Sequence, residues 1–161
     1  MAIPERVKTF LDDYRVAYQV KVHREVYTTQ EAAAAAHITG RRVAKVLVLK
    51  GAGGFSLAVL PAACRASLER LRAVAGDPTL ALASEGEFGP LFPDCEPGAM
   101  PPFGNLYGMR VFVDEEIAES GKIACEAGSH HELLTLRAED LLRLVQPTIG
   151  EFCSHAERAA A

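Results

Sequence analysis

Apolar residues recur along this chain at two spacings, helical and alternating, and their succession lays out the expected elements. After Pro4, the residues Val7, Phe10, Leu11 and Tyr14 fall at helical spacing and predict a first amphipathic helix. Tyr18 to His23 alternates apolar and polar side chains as a strand does. Thr28 and Glu31 form a capping box ahead of an alanine run, which predicts a helix from Thr29 to about His37 that stops near Gly40. Arg42–Lys50 reads as a strand, and Gly51-Ala52-Gly53-Gly54 turns it back into Phe55–Leu60 as a hairpin. Pro61 precedes a helix whose buried stripe is Cys64, Leu68, Leu71 and Val74, with Gly76 as its terminator. Thr79–Ala83 is a short strand, and Ser84 with Glu87 caps one or two further helical turns. Three strands follow, Tyr107–Asp114, Lys122–Glu126 and Glu132–Arg137, before a closing helix over Glu139–Val145 that Pro147 ends.

Strands come both in runs and alternating with helices, so the expected class is α+β: a mixed β-sheet flanked by helices, not a doubly wound parallel fold. No G-x-G-x-x-G follows a strand and no Walker lysine is present, which removes the nucleotide-binding folds. No linker divides the chain, so residues 1–153 are expected to form one domain and residues 154–161 a frayed tail. From Gly89 to Pro102 the segment holds five prolines and two glycines, too many for regular structure. Phe92, Met100 and Phe103 give it apolar anchors, so an ordered, functional loop is expected there.

One residue breaks the apolar pattern. Lys45 stands inside Val43-Ala44-Lys45-Val46-Leu47-Val48-Leu49 and shares a strand face with Val43, Leu47 and Leu49. Both faces of this strand are apolar, as at the centre of a sheet. An ammonium placed there gives up water, at a cost only an anionic partner offsets. The plain alternative is a lysine near a strand end whose charge snorkels out to solvent.

Composition narrows the remaining classes. At 161 residues, 49% hydrophobic and 24% charged, the chain has the makeup of an ordered globular domain. No apolar stretch approaches a membrane span and no signal-peptide core opens the sequence, so no membrane partner and a cytoplasmic location are expected. The net charge of −4 argues against coating DNA through a broad basic surface. Positive charge is nevertheless gathered locally, at Arg41, Arg42, Lys45 and Lys50 and at Lys21, His23 and Arg24, which suits a grip on a few phosphates. Cysteines 64, 95, 125 and 153 show no C-x-x-C pair, so reduced thiols are expected, with neither disulfide framework nor zinc knuckle.

The Gly98–Gly104 segment carries a readable backbone chemistry. Gly98 and Gly104 permit positive φ and close main-chain approach, while Pro101 and Pro102 stiffen the loop and give up their own N–H groups. Donors to an oxyanion must then come from Gly98, Ala99, Met100, Phe103, Gly104 or Asn105. A stiff surface turn anchored by Phe103 is the competing reading. His130 and His131 follow Gly128-Ser129 near Cys125, but no third ligand stands at a recognisable spacing. The expectation is therefore no metal and no cofactor, with a single histidine hydrogen-bonding near Lys45. Cys95 lies in the Pro/Gly loop without a histidine or helix start to activate it, so a packed thiol is expected there.

Four segments in order carry a family resemblance: His23 through Tyr27-Thr28-Thr29-Gln30-Glu31-Ala32; Ala44-Lys45-Val46-Leu47-Val48; Gly98-x-x-x-Pro102-Phe103-Gly104; and Ala127-Gly128-Ser129-His130. Together they resemble the YbaK/ProX family of aminoacyl-tRNA deacylases, related to the editing domain inserted in bacterial prolyl-tRNA synthetases. The resemblance implies a mixed sheet curled toward a barrel, and metal-free hydrolysis of the ester joining a wrong amino acid to the 3′ end of a tRNA. It implies Lys45 and Gly98 as catalytic residues, with His23, Thr28, Met100, Pro102, Phe103, Gly104, Ser129 and His130 binding the substrate. It also implies an attacking water positioned by the substrate's own ribose 2′-hydroxyl. Val46 follows the lysine where alanine-editing members carry asparagine, so alanine specificity does not transfer. Two other readings stand beside it: a non-catalytic module binding an RNA 3′ end or a protein, and a thiol-dependent hydrolase acting through Cys95. Monomer and weak dimer are both open.

Overall fold

A computed structural model describes residues 2–24, 34 and 42–154, and the fold follows from how the apolar strands pair. The expected capping box at Thr28 and Glu31, the helix to His37 and Arg41 lie outside the described residues. The strands are β1 (Gln19–Val22), β2 (Val43–Gly51), β3 (Gly54–Pro61), β4 (Arg65–Ala66), β5 (Ala81–Leu82), β6 (Arg110–Asp114), β7 (Lys122–Glu126), β8 (Glu132–Arg137), β9 (Thr148–Gly150) and β10 (Cys153–Ser154). The described α-helices are α1 (Glu5–Asp13), α2 (Leu68–Ala75), α3 (Glu85–Phe88), α4 (Glu115–Ala118) and α5 (Ala138–Val145). No helix among the described residues is long and apolar enough to cross a membrane.

The main sheet has eight strands, ordered β1-β8-β7-β2-β3-β6-β9 with β5 added to β2. It is mixed: β2 pairs antiparallel with β3 and parallel with β7, while β3 and β6 pair in parallel. That is the α+β arrangement the pattern predicts. The central hairpin buries both faces of β2, because its side chains alternate between two apolar layers. Ala44 and Val48 enter the larger core with Leu57, Val59 and Val111, and Leu49 enters the smaller one with Ala58, Leu60 and Phe112.

Several expected elements shift. The helix after Pro61 begins only at Leu68, because Ser67 is its N-cap and accepts a hydrogen bond from the Arg70 N–H. Cys64 therefore lies ahead of the helix, not on its stripe. Gly76 ends α2 in the left-handed conformation, as expected of a glycine terminator. Ser84 and Glu87 form the predicted capping box at α3. The strand expected from Tyr107 starts at Arg110, since Gly104–Tyr107 is a 3₁₀ turn closed by Gly108 at φ 70°. Tyr14 is exposed; it sits at the C-cap of α1 and stacks edge-on against Phe10.

The expectation of four reduced cysteines is corrected. Cys64 and Cys153 form a disulfide, with a Cα–Cα distance of 5.5 Å across a sequence separation of 89. The small β4–β10 ladder, which pairs Cys153 with Ala66, brings the two together, and spacing along the chain carries no trace of that pairing. Cys95 and Cys125 are free and buried.

Candidate functional site

Sheet register assembles the site from the strands inward. The parallel β2–β7 ladder pairs Ala44 with Cys125, so one further residue brings Lys45 level with Glu126 on the same face. Glu126 pairs with Leu133, Leu133 pairs with Lys21, and the bond from His23 N–H to the His131 carbonyl (2.7 Å) continues that ladder. Four neighbouring strands thus present His23, Leu133, Glu126 and half-buried Lys45 on one face. Cys125 points to the opposite face, into the main core.

Glu126 connects the lysine strand to the Gly/Pro loop. Its buried carboxylate lies 3.1 Å from His130 Nδ1, and both side chains are almost wholly shielded from water. On the other side of the ring, Nε2 lies 2.7 Å from the Pro97 carbonyl. Both ring nitrogens of His130 are thus engaged, one by the Glu126 carboxyl group and the other by a backbone carbonyl. The His130 backbone N–H donates to the Glu96 carboxylate. Glu96 N–H donates to Gly128 O (2.9 Å), and Gly128 N–H donates to Ala99 O (2.6 Å). The Glu96–Ala99 segment is thereby hung on the Gly128–His130 turn, and Gly98 rests against the His130 ring.

This frame sorts the loop's donors. Ala99 N–H is used by Glu96 O and Gly104 N–H by Pro102 O, so neither serves an external oxyanion. Among the described residues, the N–H groups of Gly98, Met100 and Phe103 have no hydrogen-bond partner. Gly98 is exposed at φ 86°, on the lip of the loop. Met100, Pro102 and Phe103 are buried beneath it, and the Phe103 ring meets Phe10 edge-on at 5.8 Å between centroids. Gly104 is buried where a Cβ would strike Val111 and the Met109 carbonyl, so packing alone requires a glycine there. Ser129 is fully buried, and its hydroxyl accepts a hydrogen bond from His131 N–H (3.0 Å).

His23 differs from these. It is buried, and its Nδ1 lies 2.7 Å from the Arg24 carbonyl, which assigns the hydrogen to that nitrogen. Its Nε2 is then a bare acceptor, buried and without a partner among the described residues. Buried polar atoms are ordinarily satisfied, so the lone pair marks a place for a donor. Thr28 lies outside the described residues.

Sequence reasoning missed both carboxylates. Glu126 ends an apolar strand, Ile123-Ala124-Cys125-Glu126, and precedes His130 by four residues. The test that singled out Lys45, a charge inside an apolar run, would have found it. Burial is the strongest single influence and works against the Glu96 charge, but donation from His130 N–H together with the surrounding positive charge outweighs it and holds the carboxyl below its usual range. A carboxylate with a lowered folded-state pKa stabilises fully above its unfolded value, and loses that contribution as pH falls through the folded one. Thermal unfolding followed downward from about pH 5 should therefore show an acid limb that Glu96→Gln flattens. An unchanged limb would remove Glu96 as the loop's tether.

Cys95 lies where the thiolate is disfavoured. Burial pushes its thiol up to about 11 even though the Tyr107 hydroxyl favours the thiolate. Its neighbourhood is structural: Tyr107 Oη donates to Asp94 (3.1 Å), and Arg6 pairs with Asp94 at 2.7 Å, tying α1 to the loop.

Lys45 and the buried Glu126–His130 pair thus share one face of the mixed sheet, joined through His130 to the Gly/Pro loop. The chain belongs to the aminoacyl-tRNA editing domain family, whose model matches residues 23–144. No curated protein sequence matches it. Among solved structures it is similar to a trans-editing enzyme for prolyl tRNA synthetase, at 22% identity and TM-score 0.80, covering 92% of this chain and 95% of that one. It is also similar to hypothetical protein APE2540, at 20% identity and TM-score 0.84, covering 93% of this chain and all of the other. Similarity extends to a signal transduction protein from Marinobacter aquaeolei, at 20% identity and TM-score 0.74, where the match covers 97% of this chain but 32% of that one. At these identities the structural likenesses establish the fold.

Proposed function

We propose that residues 1–153 form one hydrolase domain that deacylates misacylated tRNA, with tRNA-Pro or a similar tRNA carrying a small wrong amino acid as substrate. One observation carries the reading: the Gly98 lip, with unused N–H groups at Gly98 and Met100, is fixed to the Lys45 face through His130 and Glu126. In this reaction a water attacks the aminoacyl carbonyl carbon, the carbonyl oxygen takes negative charge, and the bond to the ribose oxygen breaks as that oxygen regains a proton. Gly98 and Met100 N–H groups stabilise the oxyanion, and the substrate's 2′-hydroxyl orients the water. Lys45 pairs with a phosphate of the 3′ end as a point charge. His23 Nε2 accepts a hydrogen bond from a substrate donor, and Thr28 contributes to the same pocket. Met100, Pro102 and Phe103 shape the acyl side, while Gly104, Ser129 and His130 hold the loop and turn in place. These groups accomplish ester hydrolysis without calling on a metal. Gripping only a 3′ end reconciles the net charge of −4 with an RNA substrate.

The test is deacylation of tRNA-Pro charged with alanine, cysteine or serine, beside prolyl-tRNA-Pro, by the wild type and by Cys95→Ala. Selective release of a mischarged residue, equal in both proteins, is expected. Loss in Cys95→Ala would restore the thiol mechanism. Salt-sensitive tRNA binding with no release from any substrate would leave a non-catalytic module.

A further inference from the structure

The disulfide has a third neighbour that the editing reaction does not use. Glu116 Oε2 lies 3.3 Å from Cys64 Sγ and 3.2 Å from Cys153 Sγ, nearly equidistant from the two sulfurs. The three ligand atoms all lie within 4.8 Å of one another, both sulfurs are buried, and Glu116 opens to solvent. Sulfurs joined in a disulfide carry no hydrogen to offer a carboxylate. Two thiols, or a cation held by all three groups, suit this arrangement of two sulfurs and one carboxylate oxygen.

We propose that, once the Cys64–Cys153 bond is reduced, the chain binds one zinc ion through both thiolates and the Glu116 carboxylate. A dithiol opens the S–S bond into two thiols by giving two electrons and two protons and closing to its own disulfide; a phosphine gives the two electrons and becomes the phosphine oxide, with water supplying its oxygen and the two protons. Zinc then displaces one proton from each. Tetrahedral zinc with Zn–S near ~2.3 Å and Zn–O near ~2.0 Å places sulfur and oxygen ligands roughly 3.5 Å apart, so Glu116 is already close to its position and only the sulfurs must separate. Tetrahedral zinc takes one further ligand beyond these three. Thiolates select zinc over magnesium or calcium, which take oxygen ligands.

The ligands do not depend on the disulfide for their placement. Asp114, 1% exposed, accepts from Phe152 N–H (2.8 Å) and Cys153 N–H (2.9 Å) through one oxygen and from Glu116 N–H (3.0 Å) through the other. One buried carboxylate thus fixes the backbone of two ligands, and the β4–β10 ladder holds the third alongside.

The full chain, reduced with a phosphine that is then removed, would be titrated with zinc against a chromophoric chelator and with cobalt(II) by absorption. One equivalent of each metal is expected per chain, with a thiolate-to-cobalt charge-transfer band. Cys64→Ser and Cys153→Ser should weaken binding by about 100-fold or more, and Glu116→Gln by about 10-fold. The air-oxidised chain should take up none. The Glu116→Gln variant keeps both cysteines and the native cross-link, so it reports on the site even if the serine variants fold poorly. The proposal fails if the reduced chain binds no zinc, if cobalt shows no charge-transfer band, if Glu116→Gln binds as tightly as wild type, or if the disulfide survives reductant in the folded chain.

Discussion

Lys45→Met should lower kcat/KM for deacylation by about 10²-fold or more, with little change in thermal stability. Methionine keeps an unbranched, largely apolar side chain of similar size on β2 and removes the ammonium with the interaction it makes. A phosphate contact of this kind leaves a second signature in its dependence on salt. Each contact to a single-stranded end contributes a slope of about 0.7 in log kcat/KM against log salt, and the variant should lose that increment. Lys45→Arg should recover little, because a planar guanidinium does not reproduce a compact ammonium on a strand flanked on both sides. Full turnover in Lys45→Met, or a lost activity with an unchanged salt slope, would separate the lysine from the tRNA phosphate.

The parts of this fold that were legible in sequence are those that local chemistry decides. The β2–β3 hairpin follows from an apolar run, a glycine-rich turn and a second run, and its register closes on Gly51 and Gly54. The capping box at Ser84 is a two-residue exchange that no distant contact overrules. Lys45 and Gly98 stood out because each breaks or stiffens its own segment. What failed was set by contacts between distant segments. Cys64 fits a helical stripe, yet Ser67 caps α2 instead and β10 draws Cys64 toward Cys153. Among the expected backbone donors, Ala99 and Gly104 are spent within the loop, which depends on how it folds back on itself. Glu96 matters only because the His130 N–H donates to it, and no spacing rule links it to a turn more than thirty residues away.

The two glycines of the loop–turn frame should fail in different ways, and the contrast tests whether the lip acts chemically. Gly128 has φ 111°, and a Cβ there would overlap the Pro4 ring ahead of α1. Pro4 cannot give way easily, because its carbonyl accepts from Val7 N–H (3.0 Å) and Lys8 N–H (3.3 Å) at the start of that helix. Backbone strain and overpacking together should cost Gly128→Ala about 2–5 kcal/mol, lowering Tm by roughly 5–15 °C. Gly98 has φ 86°, but a Cβ there would meet only His130, at 3.6 Å, an ordinary contact. Gly98→Ala should therefore lose only about 1–2 kcal/mol, the cost of the backbone conformation alone. Its activity should nevertheless fall by about 10-fold or more, since relaxing that strain turns the Gly98 N–H away from the carbonyl it serves. Calorimetry and single-turnover deacylation on the same preparations separate the two effects. If Gly98→Ala melts early yet turns over normally while folded, the lip is a structural turn and the oxyanion is held elsewhere. If it melts only a few degrees lower and hydrolyses slowly while folded, the loop's conformation is itself part of the catalytic apparatus.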